Sequence, residues 1–375
     1  MGIEYGIKNG ALRWIRNPFT GTVVYFNEIH RKPHSFRRLT NPQPSTATPP
    51  AALSHDLFQV ETQRVQQACV FCPGNEIQTQ NEIIRVPYRE VYPCPDTMPP
   101  GYEPDDWAMR VFQNIVPRIP EECTGGRNES YVIIEDARHF LPGAKTLSDL
   151  MWSGTLPQHH YRQLLQLAAQ VVRYSMENPT VKSVLIRKHQ GRESGASQPH
   201  IHCQVIGADR VFPDIEREME VTAKHPDIWR ESIECMRTFG FHLEEGDGIA
   251  TQWSAFGKFS RQFEVISLQD RQPISAIPET RLRLFSQYVH RLLRALGRDP
   301  YDMEIHHGEG IPLHMHVNSR RYVYANIGGT LNVPSELAEM ILPPTRDTIE
   351  QMARQVSEQA PNCEPDGGWP AKNTR

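Results

Sequence analysis

The chain has 375 residues, of which 22% are charged and 38% hydrophobic, with a formal net charge of −4. That length suffices for one large domain or two with their own cores, and the composition is that of a soluble globular protein. Net acidity argues against a general nucleic-acid binder, and no run reaches the ~18 apolar residues of a membrane helix.

The stretch from Met1 to Ile15 is mixed and polar, without the apolar centre of a signal peptide. Phe36 to Leu53 is rich in Pro, Ser and Thr and reads as an extended surface loop. Cys69 and Cys72 then present two sulfurs from one tight turn closed by Pro73-Gly74. The pair reads as a metal knuckle, a redox couple or two buried thiols. Seven cysteines, an odd number, fit a reducing cytoplasm better than a disulfide scaffold.

Leu156 to Asn178 reads as an amphipathic helix, with Tyr161, Leu164, Leu165, Ala168, Val171 and Val172 on one stripe. An apolar strand follows over Val181–Arg187, and then a loop of the form Gly-x-x-x-Gly-x-Ser at Gly191, Gly195 and Ser197. Bare backbone of this kind can approach a phosphate closely. The loop runs into a β-leaning stretch, Pro199 to Ile206, in which His200, His202 and Gln204 share one face and Ile201, Cys203 and Val205 the other. A single strand histidine is usually a satisfied structural residue. Two imidazoles and a carboxamide in one row are costly to bury without partners, and they read as a site.

Asp214 to Gly240 is charge-mixed and suggests two helices. Phe263–Leu268 reads as a strand, Glu279–Leu296 as a helix, and Tyr301–His306 and Leu313–Asn318 as two short strands, the last with His314 and His316 on one face. Helix, strand and His-x-His on a strand thus occur twice, which hints at a degenerate duplication. The expected fold class is α+β, with mostly antiparallel sheet and packed helices. The tail from Pro361 has no periodicity and reads as disordered.

The run Gly-x-x-x-Gly-x-Ser-x-x-His-x-His-x-Gln resembles the active-site motif of galactose-1-phosphate uridylyltransferases, the transferase branch of the histidine-triad superfamily. Leu12 to Pro33, the Cys69–Asn75 knuckle, Arg110–Asn114, Val132–Ile134 with His139, and Tyr301–His306 with His314–His316 resemble further segments in the same order. The resemblance spans about residues 10–340, with gaps. It implies two histidine-triad-like halves, placed at 61–212 and 213–345. Amino-terminal strands and the Pro-rich loop (1–60) precede them, and a carboxy-terminal helix and tail (346–375) follow.

The resemblance further implies zinc held by Cys69, Cys72, His139 and His200, and a second, non-catalytic metal, iron or zinc, at Glu218, His306, His314 and His316. Without thiolates this second group could equally be a polar, water-filled face near a subunit boundary. His202 takes the place of the family's nucleophile, which carries a nucleotidyl group between donor and acceptor. Gln204 can bond a phosphate oxygen but cannot supply a proton, which suits phosphorylated leaving groups better than hydrolysis. Ser197 with the amides near Gly195 is expected to hold developing charge. Val70, Phe71 and Asn114 match the nucleoside pocket, and Arg31 and Lys32 further substrate contacts.

Two positions depart from the family. His189 replaces an asparagine that helps bind the nucleotide, and Tyr324-Ala325-Asn326-Ile327-Gly328-Gly329 stands where a hexose-binding glutamate is usual. The expectation is a cytoplasmic, homodimeric nucleotidyltransferase. Its donor would be a nucleotide or nucleotide sugar, and its acceptor a phosphorylated small molecule or inorganic phosphate, with galactose 1-phosphate a poor acceptor. The alternatives are a histidine-triad hydrolase or phosphorylase, and a non-catalytic zinc-stabilised nucleotide-binding protein.

Overall fold

The structure is a computed structural model that describes residues 2–26, 55–79, 82–257, 261–320, 337–340 and 346–359. Arg31, Lys32, the Pro-rich loop, the 324–329 segment and the tail lie outside the described residues.

Three amino-terminal strands, β1 (Tyr5–Lys8), β2 (Ala11–Arg16) and β3 (Val23–Phe26), form a small sheet completed by β14 (Leu337–Met340), which pairs with β3 in parallel. Helix α1 (His55–Ala68) leads into the Cys69–Cys72 knuckle. The main sheet holds ten strands. Five come from the first half: β4 (Glu82–Pro87), β5 (Trp107–Gln113), β6 (Ser130–Ile134), β7 (Ser183–Gln190) and β8 (His202–Ala208). Five come from the second: β9 (His242–Gly246), β10 (Ile249–Trp253), β11 (Gln262–Ser267), β12 (Tyr301–Gly308) and β13 (Ile311–Ser319).

The strand order is β4-β5-β6-β8-β7-β12-β13-β11-β10-β9, and every pairing is antiparallel. Read from its outer edge inward, each half follows one pattern: three strands in sequence, then the fifth, then the fourth. A long helix precedes the fourth strand in both, α2 (Gln158–Met176) in the first half and α5 (Glu279–Leu296) in the second. The duplication suggested by the sequence is therefore present in the fold. The halves merge where β7 pairs with β12.

Periodicity explains the layers. On α5 the residues Leu282, Phe285, Val289, Leu292 and Leu296 are all buried, as is the Tyr161–Val172 stripe of α2. Each buried aliphatic or aromatic side chain contributes roughly 1.5–3 kcal/mol of hydrophobic stabilisation. Cys203 and Val205 of β8 join the same core cluster. Helices α3 (Pro213–Lys224) and α4 (Ile228–Thr238) occupy the bridge that the sequence assigned to two helices, and α3 packs on β12 and β13. Helix α6 (Arg346–Glu358) packs on β9 and α5.

One boundary differs from expectation. The strand carrying the histidines starts at His202, not Pro199, so His200 lies in the preceding turn. Pro199 has no N–H to give to a ladder, and the His200 ring is held instead by the Asp136 carbonyl, 2.7 Å from Nε2.

Candidate active site and metal centres

The register of the sheet places the chemistry on one face. Residues directly opposite on antiparallel strands point the same way. Val132 faces Gln204, Gln204 faces Arg187, Arg187 faces Glu304, Glu304 faces His316, and His316 faces Glu264. This row crosses both halves and runs from the strand of His202 to His316 of the second histidine cluster. His202 lies two residues before Gln204 and so shares their face.

At the first cluster, Cys72 Sγ lies 3.2 Å from His139 Nδ1 and 3.4 Å from His200 Nδ1, and Cys69 Sγ lies 3.7 Å from His200 Nδ1. A tetrahedron with zinc–sulfur and zinc–nitrogen bonds of ordinary length separates such atoms by about 3.5 Å. All four side chains are buried and their ligand atoms converge. The Cys69 thiol is held far below its usual range, chiefly by a hydrogen bond from Cys72, against desolvation and with help from His139 and His200. The donor set fits a divalent ion such as zinc. Sequence reasoning named these four residues, and the structure brings them together from three separate segments.

At the second cluster, Glu218 from α3 meets His306 Nδ1 at 3.0 Å, His314 Nε2 at 3.3 Å and His316 Nε2 at 3.7 Å. Each far ring nitrogen faces an oxygen, though only that of His314 is hydrogen-bonded. His314 Nδ1 donates to the Pro312 carbonyl at 2.8 Å, His306 Nε2 lies 3.7 Å from Glu304, and His316 Nδ1 lies 3.4 Å from Glu264. Such outer partners fix ring orientation at metal sites. Three imidazoles and a carboxylate could hold a transition-metal ion. The centre borders a cavity of about 250 Å³ lined by Glu218, His306, His316, Glu264, Glu304 and Trp229 among others.

His202 is buried, with its ring edge-on to Phe71 at 5.2 Å between centroids. Its Nδ1 lies 2.8 Å from the His200 carbonyl, so Nδ1 carries the proton and Nε2 keeps its lone pair. Burial lowers its pKa to about 4, which keeps the imidazole neutral near pH 7. Beneath the sheet, Lys188 donates to the Glu135 carboxylate and, at 3.3 Å, to the His202 carbonyl. Ser153 donates to the other oxygen of Glu135 at 2.7 Å, and Tyr301 donates to Ser153 at 3.3 Å. This polar chain ties β12 to the backbone of His202.

The remaining expected residues are less tightly gathered. Gly191 and Gly195 both have positive φ and flank a tight turn, a conformation that favours glycine. Ser197 is exposed, while the buried serine of this loop is Ser194, which donates to the Gln190 and Gly191 carbonyls. Val70 sits beside Phe71 in the knuckle. Asn114 lies just past β5, its amide bonded to the Ser130 carbonyl. His189 touches Arg187, and burial followed by the Arg187 charge pushes its pKa down. Sequence reasoning missed Arg187, Lys188, Glu135, Glu264 and Glu304. The alternation of Arg187, Lys188 and His189 at the end of an apolar strand was the available signal.

A family described as "Domain of unknown function (DUF4921)" matches residues 106–323, more than half of the chain. The chain belongs to this family. A curated relative, ADP-glucose phosphorylase of Arabidopsis thaliana, is 24% identical over 184 residues, or 45% of this chain and 44% of that protein. The chain thus matches under half of that relative's length.

Among solved structures, an ADP-glucose phosphorylase from Arabidopsis thaliana with bound ADP-glucose superposes with a TM-score of 0.59 at 14% identity, covering 92% of this chain and 98% of the other. A GalT-like protein from the same plant gives 0.58 at 15% identity, covering 78% and 92%. A uridylyltransferase gives 0.55 at 16% identity, covering 72% and 89%. The α+β fold is that of the galactose-1-phosphate uridylyltransferase-like proteins, as the sequence resemblance implied.

Proposed function

We propose that the protein is a nucleotidyltransferase of transferase or phosphorylase type that carries a nucleoside monophosphate on His202. The observation that carries this reading is the His202 ring itself. Nδ1 is tied to the His200 carbonyl, and a neutral Nε2 is left on the reacting face. A free imidazole nitrogen can attack an α-phosphorus and split one displacement into two. The curated relative and the structural neighbours named for ADP-glucose phosphorolysis and uridylyl transfer support the same class of chemistry.

In this reading Gln204 bonds a phosphate oxygen, and Phe71 with Val70 and Asn114 borders the nucleoside. The loop at Gly191, Gly195 and Ser197 approaches the departing phosphate. Zinc at Cys69, Cys72, His139 and His200 would pin the knuckle to the turn before β8. A second ion at Glu218, His306, His314 and His316 would brace the other half. The division into halves at 61–212 and 213–345 belongs to the same proposal. Gln204 in place of an acid disfavours hydrolysis, since nothing there protonates a poor leaving group.

The test is labelling with a panel of α-labelled nucleotides and nucleotide sugars. The expected result is an acid-labile label on His202, lost in His202→Gly with metal content unchanged. Label on another residue, or full turnover by His202→Gly, overturns the assignment.

A further inference from the structure

We propose that Arg187 is the anion-binding residue of the acceptor subsite and that the group it receives is a phosphate dianion. This rests on the nucleotidyl-histidine reading and adds to it the chemistry of the second substrate. Arg187 stands directly opposite Gln204 on the neighbouring antiparallel strand, where β-carbons are about 5 Å apart. Its side chain therefore rises from the same sheet face as His202. Lys188, the next residue, points the other way and is consumed by Glu135.

The guanidinium is oriented by His189, feels the Glu304 charge, and forms no close ion pair among the described residues. One terminal nitrogen donates to His189 Nε2, and a neutral His189 is the acceptor this requires. The buried Nε has no hydrogen-bond partner among the described residues. A buried, unsatisfied charged donor costs free energy unless a ligand meets it. Glu304, opposite Arg187 in the register, is held chiefly by His306, 3.7 Å away, and meets the Arg187 charge only at longer range. The fork of a guanidinium matches two phosphate oxygens better than any other common side chain does.

Discharge of the adduct then balances without a proton donor. An acceptor phosphate oxygen attacks the α-phosphorus, the phosphorus–nitrogen bond to His202 Nε2 breaks, and its electron pair returns to Nε2. The proton stays on His202 Nδ1, still donated to the His200 carbonyl, and the product carries a new P–O–P link. Arg187 offsets the repulsion between the incoming dianion and the adduct, a task that Gln204, being neutral, cannot perform.

The experiment loads the full-length protein with α-labelled nucleotide, removes free label, and titrates discharge with inorganic phosphate or, in parallel, glucose 1-phosphate. Arg187→Met should raise the half-saturating concentration of either by roughly 10- to 100-fold, with Arg187→Lys recovering part of the loss. Preference between the two acceptors tells free phosphate from a phosphate monoester. In a second arm, inorganic phosphate is titrated calorimetrically into His202→Gly protein with and without Arg187→Met, and affinity should fall by a similar factor. Circular dichroism checks that each variant is folded. Unchanged phosphate dependence in either arm overturns the role of Arg187. Wild-type protein that takes no label would instead sink the nucleotidyl-histidine reading, and the calorimetric arm would still decide Arg187.

Discussion

His290 shows how one buried side chain can make stability depend on pH. Its ring is stacked on Tyr161 at 5.2 Å, and Nε2 donates to the Leu156 carbonyl at 2.9 Å, between α5 and the start of α2. Burial, followed by the Arg294 charge, lowers its pKa from the ordinary 6.5 to about 4. Between these values the unfolded chain binds a proton that the folded chain refuses, so stability falls as pH drops from 6.5 towards 4. The contribution is at most about 3 kcal/mol. Urea midpoints measured across that range should decline in the wild type and flatten in His290→Gln, which can still donate to Leu156. Parallel declines in both proteins would remove His290 as the cause.

At the scale of elements, the knuckle is the joint to test. Cys72 is 67 residues from His139 and 128 from His200, so a bound ion would close two long loops at once. Ion binding to such a site is folding free energy, because the unfolded chain does not gather the ligands. Purified protein should hold one tightly bound zinc at this centre. Cys72→Ser should lose it, with a clearly lower melting temperature and poorer solubility. Equal melting temperatures with the metal gone would show that the sulfurs and imidazoles pack adequately by themselves.

Across the whole molecule, one ten-stranded sheet carries His202 and the imidazoles of the second centre on the same face, linked by the row Gln204–Arg187–Glu304–His316. The halves share a plan but differ in donor set: thiolates and imidazoles in the first, a carboxylate and three imidazoles in the second. Replacing His314 and His316 together by alanine should remove one metal per chain and lower stability, while label still accumulates on His202. Metal analysis giving the wild-type content would reduce the second centre to a polar face. Among the described residues no helix is long and apolar enough to cross a membrane.

Local sequence determined a good deal. The 3.6-residue stripes of α2 and α5, the alternation on β8 and β13, and the Cys-x-x-Cys turn are all properties of neighbouring residues, legible because periodicity encodes which face is buried. The duplicated order of helix, strand and His-x-His strand was visible for the same reason. What the tertiary structure decided was pairing across distance. That Lys188 is paired with Glu135, while Arg187 beside it bonds His189 and has no close ion pair among the described residues, depends on which strands lie next to β7, and adjacency in a sheet is not written in any single strand. Likewise Glu264 and Glu304 meet imidazoles only because β11, β13 and β12 pair in one register. The start of β8 at His202 was also a tertiary outcome: Pro199 weakens the ladder locally, and the His200 ring contacts His139, Asp136 and Cys72, all far away in sequence.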